Sequence, residues 1–97
     1  MNEKLQTPSI DKLFQGILKL ENMEECYRFF EDLCTIHELQ SLAQRLDVAD
    51  MLIDGKTYLS IGATTGASTA TISRVNRCLN YGEGGYKFIL DRIKENS

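Results

Sequence analysis

Apolar residues recur three and four positions apart along most of the chain, and this spacing predicts helices rather than strands. Ser9 or Asp11 would cap a first helix near the N-terminus. Asn22, followed three residues later by Glu25, is typical of the start of a second helix. The apolar faces of these helices consist of Ile10, Leu13, Phe14, Ile17 and Leu18 in the first and of Met23, Cys26, Tyr27, Phe30 and Leu33 in the second.

A longer third helix is predicted near the middle of the chain. Thr35 and Glu38 have the spacing of a capping box, in which each side chain accepts a hydrogen bond from the other residue's backbone N–H. The helix should cover about 18 residues, or about 27 Å. It should end at Asp54 and Gly55, because glycine adopts the left-handed conformation common after a helix. Its apolar stripe consists of Ile36, Leu39, Leu42, Ala43, Leu46, Ala49 and Ile53.

Residues 57–80, TYLSIGATTGASTATISRVNRCLN, have the pattern of a helix-turn-helix. A short helix after Thr57 would stop near Gly66, which can adopt the positive φ that the turn needs. Gly62 would allow the two helices to approach closely, whereas Thr65 is a weak match because a larger aliphatic residue is usual there. The apolar interior of the motif would consist of Ile61, Ala67, Ile72 and Val75.

The second helix of this motif should start at Ser68 or Thr69 and reach about Leu79. Its outward face has short side chains at the N-terminal end and arginines further along. This order suits a helix whose first turn enters the major groove of DNA while later residues reach phosphates. The predicted DNA-binding residues are Ser68, Thr69, Ala70, Ser73, Arg74 and Arg77, with Lys56 and Lys87 as further cationic contacts.

Residues 82–86 (GEGGY) predict a flexible joint before a final helix, so that residues 1–97 would form a single helical DNA-binding domain. The alternative reading of GEGG as a phosphate loop fails, because neither a following Lys-Ser/Thr nor a preceding strand is present. The apolar face of the final helix consists of Tyr86, Ile89, Leu90 and Ile93.

Charge is divided unevenly along a chain whose net charge is −3. Residues 1–54 contain five basic and eleven acidic groups, a sum of −6, and residues 55–97 contain six basic and three acidic groups, a sum of +3. The basic half would therefore face DNA and the acidic half would be kept away from it. The acidic isoelectric point of about 5.1 supports a different function, that of a protein–protein interaction module on the same scaffold.

Metal, catalytic and membrane functions find little support in the sequence. Cys26, Cys34 and Cys78, with His37, do not make a zinc-binding set, and we expect three reduced, mostly buried thiols. The carboxylates lack an accompanying nucleophile, so we expect no enzymatic activity. No apolar run reaches the roughly 20 residues of a membrane span, and the N-terminus lacks a signal peptide. We therefore expect a cytoplasmic protein without a membrane partner.

From Thr35 to about Asn80 the chain resembles the Trp repressor family, in TIHELQSLAQRLDVADMLIDGKTYLSIGATTGASTATISR. RCLNYGEGGY is similar to the YerC/YecD subgroup. The resemblance implies a six-helix Trp-repressor-like fold and an intertwined homodimer. Its two reading helices would enter successive major grooves of a pseudo-palindromic double-stranded DNA site, with half-sites about 34–36 Å apart. The DNA-facing positions that it implies are Thr69, Ala70, Thr71 and Ser73, with Arg74 near the phosphates.

The resemblance also implies a candidate ligand site. The founding member of the family binds tryptophan between two arginines near a threonine, and Thr35, Arg45 and Arg74 match these positions. Val75 replaces a glycine of the repressor and adds three carbons where the indole would pass, and Cys78 replaces a serine. These departures count against tryptophan as an effector, and no cofactor is expected.

A DNA-binding transcriptional regulator, acting as a repressor, is the function that these features favour. Two alternative functions stay open. One is the protein–protein interaction module. The other is an amino-acid-sensing repressor that binds its ligand between Arg45 and Arg74.

Overall fold

The computed structural model describes residues 1–95, in which six α-helices and one short 3₁₀ turn account for the regular structure. Within this range there is no β-strand, and the prediction of an all-α fold with six helices is confirmed. The chain forms two compact units, Met1–Leu39 and the unit that begins at Gln40. The helices are α1 (Pro8–Ile17), α2 (Met23–Leu33), α3 (Ile36–Ile53), α4 (Tyr58–Thr65), α5 (Thr69–Tyr81) and α6 (Gly85–Glu95), and the 3₁₀ turn is Glu3–Leu5.

The start of α1 differs from the prediction. Thr7, rather than Ser9 or Asp11, is the N-cap, and its side chain accepts a hydrogen bond of 3.2 Å from the backbone N–H of Ile10. Pro8 is the first helical residue. Proline suits this position because its φ is already helical and the N–H that it lacks would have no partner inside the helix. The cap consequently lies directly before the proline.

Helix α2 begins where its capping residues predict. The side chain of Asn22 accepts a hydrogen bond of 2.9 Å from Glu25 N, and the Glu25 carboxylate accepts one of 2.9 Å from Glu21 N. The predicted apolar face of α2 borders a shallow depression that Leu39 also lines. No residue of Met1–Leu39, all of which the structure describes, is fully buried. The apolar stripes of the first unit are therefore only partly covered.

The ends of α3 confirm both of its predicted signals. Thr35 N donates to the Glu38 carboxylate at 2.9 Å, and Glu38 N donates to the Thr35 hydroxyl at 3.0 Å. The hydrogen bond from the Thr35 backbone, followed by the one with its side chain, lowers the pKa of Glu38 below its ordinary value. Gly55 ends the helix with φ of 81°, and Lys56 N bonds to Met51 O at 3.0 Å.

The core of the second unit lies between α3 and the helix-turn-helix. Val48 and Ala49 of α3 are fully buried there, in a cluster with residues of α4, of the turn, of α5 and of α6. Ile61, Ala67, Ile72 and Val75, the predicted interior of the motif, are all buried. The buried residues of the described chain are Val48, Ala49, Ile61, Ala67, Ile72, Val75 and Leu90.

Helix α5 is longer than predicted, because Asn80 and Tyr81 continue it beyond Leu79 to Gly82. Both residues are exposed, so the apolar pattern alone does not mark the last turn. The joint between α5 and α6 comprises residues 82–84, and Gly85 already belongs to α6. A salt bridge of 3.3 Å between Lys94 Nζ and the buried Asp50 Oδ1 connects α6 to α3. The Asp50 carboxylate raises the pKa of Lys94.

Candidate nucleic-acid interface

The turn between α4 and α5 contains the positive φ that the sequence predicts. Gly66 has φ of 75°, and its N–H bonds to Gly62 O at 2.9 Å. The Thr65 hydroxyl donates to Ile61 O at 2.8 Å and accepts a hydrogen bond of 3.1 Å from Ala67 N. Thr65, the weak match to the motif, thus stabilises the turn with two hydrogen bonds that an aliphatic residue could not make.

The packing around Gly62 does not by itself require glycine rather than another small residue. A Cβ atom at this position would lie 3.5 Å from Ala67 O, which is an ordinary van der Waals distance. The two helices therefore leave room for a methyl group. Gly66, in contrast, has a backbone conformation that other residues rarely adopt.

The N-terminus of α5 is capped by Ser68, and Thr69 is the first helical residue. The Ser68 hydroxyl accepts a hydrogen bond of 3.1 Å from Thr71 N and lies 3.1 Å from the Thr71 hydroxyl, to which it donates. Thr71 is half-buried. These two residues consequently fix the first turn of the helix, whether or not they also contact DNA.

The remaining predicted positions on α5 form a surface opposite its packed side. Ile72 and Val75 are buried, so the helix is fixed by its inner face. Thr69, Ala70 and Ser73 are not packed inside the protein, and short side chains of this kind would allow close approach to base edges. The predicted DNA-binding residues that are exposed are Lys56, Ser68, Thr69, Ala70, Ser73, Arg74 and Arg77.

Exposed positive charge accompanies this surface. Arg74 and Arg77 lie on α5, one and two turns beyond Ala70, and Lys56 precedes α4. Lys87 differs from them, because its Nζ forms a salt bridge of 3.4 Å with Asp91 Oδ2. Its charge is partly compensated, and we expect a smaller contribution from it than from Arg74.

The residues of the candidate ligand site have separate surroundings. Thr35 lies in the first unit, where its hydroxyl caps α3. In the second unit, Arg45 is half-buried and borders an open, mainly apolar groove of about 780 Å³. Cys78 and Tyr86 also line this groove, whereas Arg74 does not. Arg45 and Arg74 thus do not line this groove together.

The cysteines are free, as expected, but they are less buried than expected. Cys26 and Cys34 are half-buried, and Cys78 is exposed. Cys78 borders the open groove near the end of α5, where no other side chain of the described residues covers it fully. Among residues 1–95 no cluster of three or more potential metal ligands occurs. No helix in that range is both long and apolar enough for a membrane span.

Gln44 is a residue of this region that sequence reasoning missed. Its side-chain Nε2 donates a hydrogen bond of 3.1 Å to the carbonyl oxygen of Thr65, at the end of α4. Gln44 lies four residues before the buried Val48 and therefore on the same side of α3. The sequence signal for such a contact is a polar residue at a position that the helical spacing places on the packed side of α3.

Comparisons with known proteins agree with this geometry. Residues 8–94 match the family model described as Trp repressor protein. The chain is 63% identical over 93 residues to the uncharacterized protein YerC of Bacillus subtilis (strain 168), which covers 96% of this chain and 89% of that protein.

Two solved structures resemble the chain closely. A TrpR-like protein from Eubacterium eligens ATCC 27750 has a TM-score of 0.93 and 56% identity, over 96% of each chain. A candidate Trp repressor from Staphylococcus aureus has a TM-score of 0.92 and 58% identity, over 95% of this chain and 92% of that one. The chain therefore belongs to the Trp repressor family, and within that family it is YerC-like.

Proposed function

We propose that this protein is a DNA-binding transcriptional regulator, acting as a repressor, which inserts the N-terminal half of α5 into the major groove. One observation carries the proposal: Thr69, Ala70 and Ser73 are exposed on a helix whose opposite side is fixed by the buried Ile72 and Val75. Direct readout requires such a combination, because the reading side chains must be accessible while the backbone that carries them stays in place. Membership of the family supports the same conclusion.

Affinity would come from cationic side chains and sequence preference from the first turns of α5. Lys56, Arg74 and Arg77 are exposed and can reach phosphates, which gives binding that weakens with salt. Thr69 and Ala70 offer a hydroxyl and methyl groups to base edges, the latter suited to the thymine methyl. The two groups of residues should therefore respond differently to substitution.

The proposed active form is an intertwined homodimer located in the cytoplasm, with residues 1–97 as its DNA-binding domain. Its support is the first unit, in which Leu18 is 82% exposed and Ile36 is 79% exposed although both belong to regular apolar stripes. Exposed apolar surface of this extent is typical of an interface. A symmetric dimer would present two copies of α5 to a pseudo-palindromic site.

Selection of bound sequences from random double-stranded DNA tests the proposal most directly. We expect an enriched motif with two related half-sites about 10 base pairs apart. Arg74→Ala should weaken binding to all sequences and reduce the salt slope by about one unit. Arg28→Ala is the matched control, since Arg28 is an exposed arginine of the acidic first unit. No enrichment with folded protein at low salt would refute the proposal.

Thr69→Ala should act on preference rather than on general affinity. The variant places a good helix former at the position and removes the hydroxyl and the γ-methyl group. Selection with the variant should therefore yield a changed base at one position of each half-site. An equal loss of affinity on every sequence would contradict a reading role for this side chain.

Two alternative functions have narrower support. The acidic net charge of −3 favours a protein–protein interaction module, which would bind no DNA in the same selection. Arg45 beside the open groove favours binding of a small carboxylate such as an amino acid. Thermal stabilisation by millimolar L-tryptophan or other amino acids would reveal that ligand site.

A further inference from the structure

The turn that precedes α5 is held by a side chain from a different helix. Thr65 is the last residue of α4, and its carbonyl oxygen is one of those at a helix end that have no partner inside the helix. Gln44 of α3 supplies a partner, with Nε2 at 3.1 Å from this oxygen. Both residues are half-buried, so water would only partly replace the lost hydrogen bond.

Gln44 is well placed to affect the start of α5. The carbonyl group that it holds lies three residues before Ser68, the N-cap of that helix. The hydroxyl of the same Thr65 accepts a hydrogen bond from Ala67 N, directly before the cap. Gln44 is half-buried, and the fully buried Val48 lies one turn further on the same side of α3. Two hydrogen bonds of Thr65, one with Gln44 and one with Ala67 N, thus connect the packed side of α3 to the N-cap of α5.

We propose that Gln44 is a positioning residue for α5, which acts through Thr65 and does not itself contact DNA. The inference rests on the proposed function and extends it, because it assigns part of the sequence discrimination to α3. Hydrogen bonds to base edges tolerate only a few tenths of an ångström in donor–acceptor distance. Long arginine side chains can adjust to a displaced phosphate. Loss of the Gln44 contact therefore reduces discrimination between sequences more than it reduces general affinity for DNA.

Gln44→Met is the informative substitution, because methionine has a similar length but no amide donor. Its control is Gln40→Met, which changes an exposed residue one turn earlier on α3. In Gln44→Met, affinity for a DNA site selected with the wild-type protein should fall about tenfold, while affinity for an unrelated duplex stays unchanged. Gln40→Met should change neither value. Should Gln44→Met not fold, Gln44→Asn, which keeps the amide but is one methylene shorter, carries the same test.

The ratio of the two affinities separates positioning from mere stability. A variant that is only partly folded loses affinity for both duplexes by the same factor, whereas a misplaced α5 loses affinity for the selected site alone. A wild-type ratio in folded Gln44→Met overturns the proposal. Equal losses on both duplexes overturn it as well.

Backbone amide exchange of the DNA-free protein tests the same contact without DNA. In Gln44→Met the amides of Gly66 and Ala67 should exchange about tenfold faster than in Gln40→Met, while Val48 and Ile72 keep their protection. If the wild-type protein binds no DNA, the proposed function fails and this measurement alone decides whether Gln44 holds the turn. Unchanged exchange at Gly66 and Ala67 would then overturn the positioning role.

Discussion

The two units of the chain bury their apolar residues to very different degrees. All of the fully buried residues among residues 1–95 lie between Val48 and Leu90, in the unit that begins at Gln40. In Met1–Leu39 the stripes of α1 and α2 are equally regular, yet Met23 is 73% exposed. Helical periodicity therefore predicts which side of a helix is apolar but does not predict what covers it. Both units have the apolar stripes expected of helices that pack together, but among the described residues only the second unit buries any of them fully.

The largest expected effect is the loss of a core side chain in the second unit. Ile61→Ala removes a side chain with no exposed surface, and the free energy of unfolding should fall by about 2–5 kcal/mol. Ile36→Ala makes the same chemical change in the first unit, where 79% of the residue is exposed. Urea unfolding at several protein concentrations measures both.

The concentration dependence sharpens this comparison. The loss in Ile61→Ala should be similar at every concentration, since Ile61 is buried within one chain. The loss in Ile36→Ala should be small at low concentration and grow with concentration if a second copy covers the first unit, as we propose. Equal losses for both variants at the lowest concentration would show that the two units do not differ in the way described.

A smaller but substantial effect is expected at the end of α5. A Cβ atom on Gly82 would lie 2.5 Å from Cys78 O, which is backbone and cannot move aside cheaply. We expect Gly82→Ala to lower the free energy of unfolding by about 1–3 kcal/mol. Gly85→Ala is the control, because a Cβ atom there has no neighbour within 4 Å. If both variants have the same melting temperature, packing around residue 82 is looser than the structure indicates.

Loss of the cap of α5 should have an effect of about 1 kcal/mol. Ser68→Ala removes the acceptor for Thr71 N, one of the N–H groups at the helix start that have no partner within the helix. Ser73→Ala, at an exposed position of the same helix, should change stability by less than about 0.5 kcal/mol. Thermal unfolding of the two variants distinguishes a capping hydroxyl from an exposed one, and equal melting temperatures would contradict the capping role.

The smallest expected effect is the pH response of the α3 cap in the first unit. The pKa of Glu38 is lowered in the folded chain by its hydrogen bonds with Thr35. The contribution of the Glu38 carboxylate to the free energy of unfolding is therefore fully present above the ordinary pKa of glutamate. It is lost as the pH falls through the lowered pKa of the folded chain. Glu38→Gln should reduce the acid sensitivity of thermal unfolding. Glu31→Gln, an exposed change on α2, is the control, and identical pH profiles for the two variants would contradict this role.

Local signals predicted the helix boundaries well where a side chain bonds to the backbone nearby. Asn22, Thr35 and Ser68 each cap the helix that follows them. Glycine marked the end of α3 for a similar reason, since glycine adopts the left-handed conformation of Gly55 more readily than other residues do. Such contacts span two to four residues and can therefore be recognised in the sequence.

Contacts between distant residues could not be predicted in the same way. The hydrogen bond of Gln44 to Thr65 O joins positions 21 residues apart, and no local pattern identifies that partner. The space around Gly62 depends on the distance between two helices, which cannot be predicted from the residue types alone. The cap of α1 differs from the prediction for a different reason: Pro8 occupies the first helical position and thereby places the cap at Thr7. The Trp-repressor-like architecture was recognised through resemblance rather than through such contacts.

In the first turns of α5, different residues cap the helix, pack in the core and remain exposed, and this separation has an evolutionary consequence. Ser68 and Thr71 form a hydrogen bond with each other, and Ile72 and Val75 pack in the core. The exposed residues take part in neither the cap nor the core: Thr69, Ala70 and Ser73. Mutations at these three positions can therefore accumulate without unfolding the protein. Related proteins could diverge in what they recognise while inheriting the same scaffold.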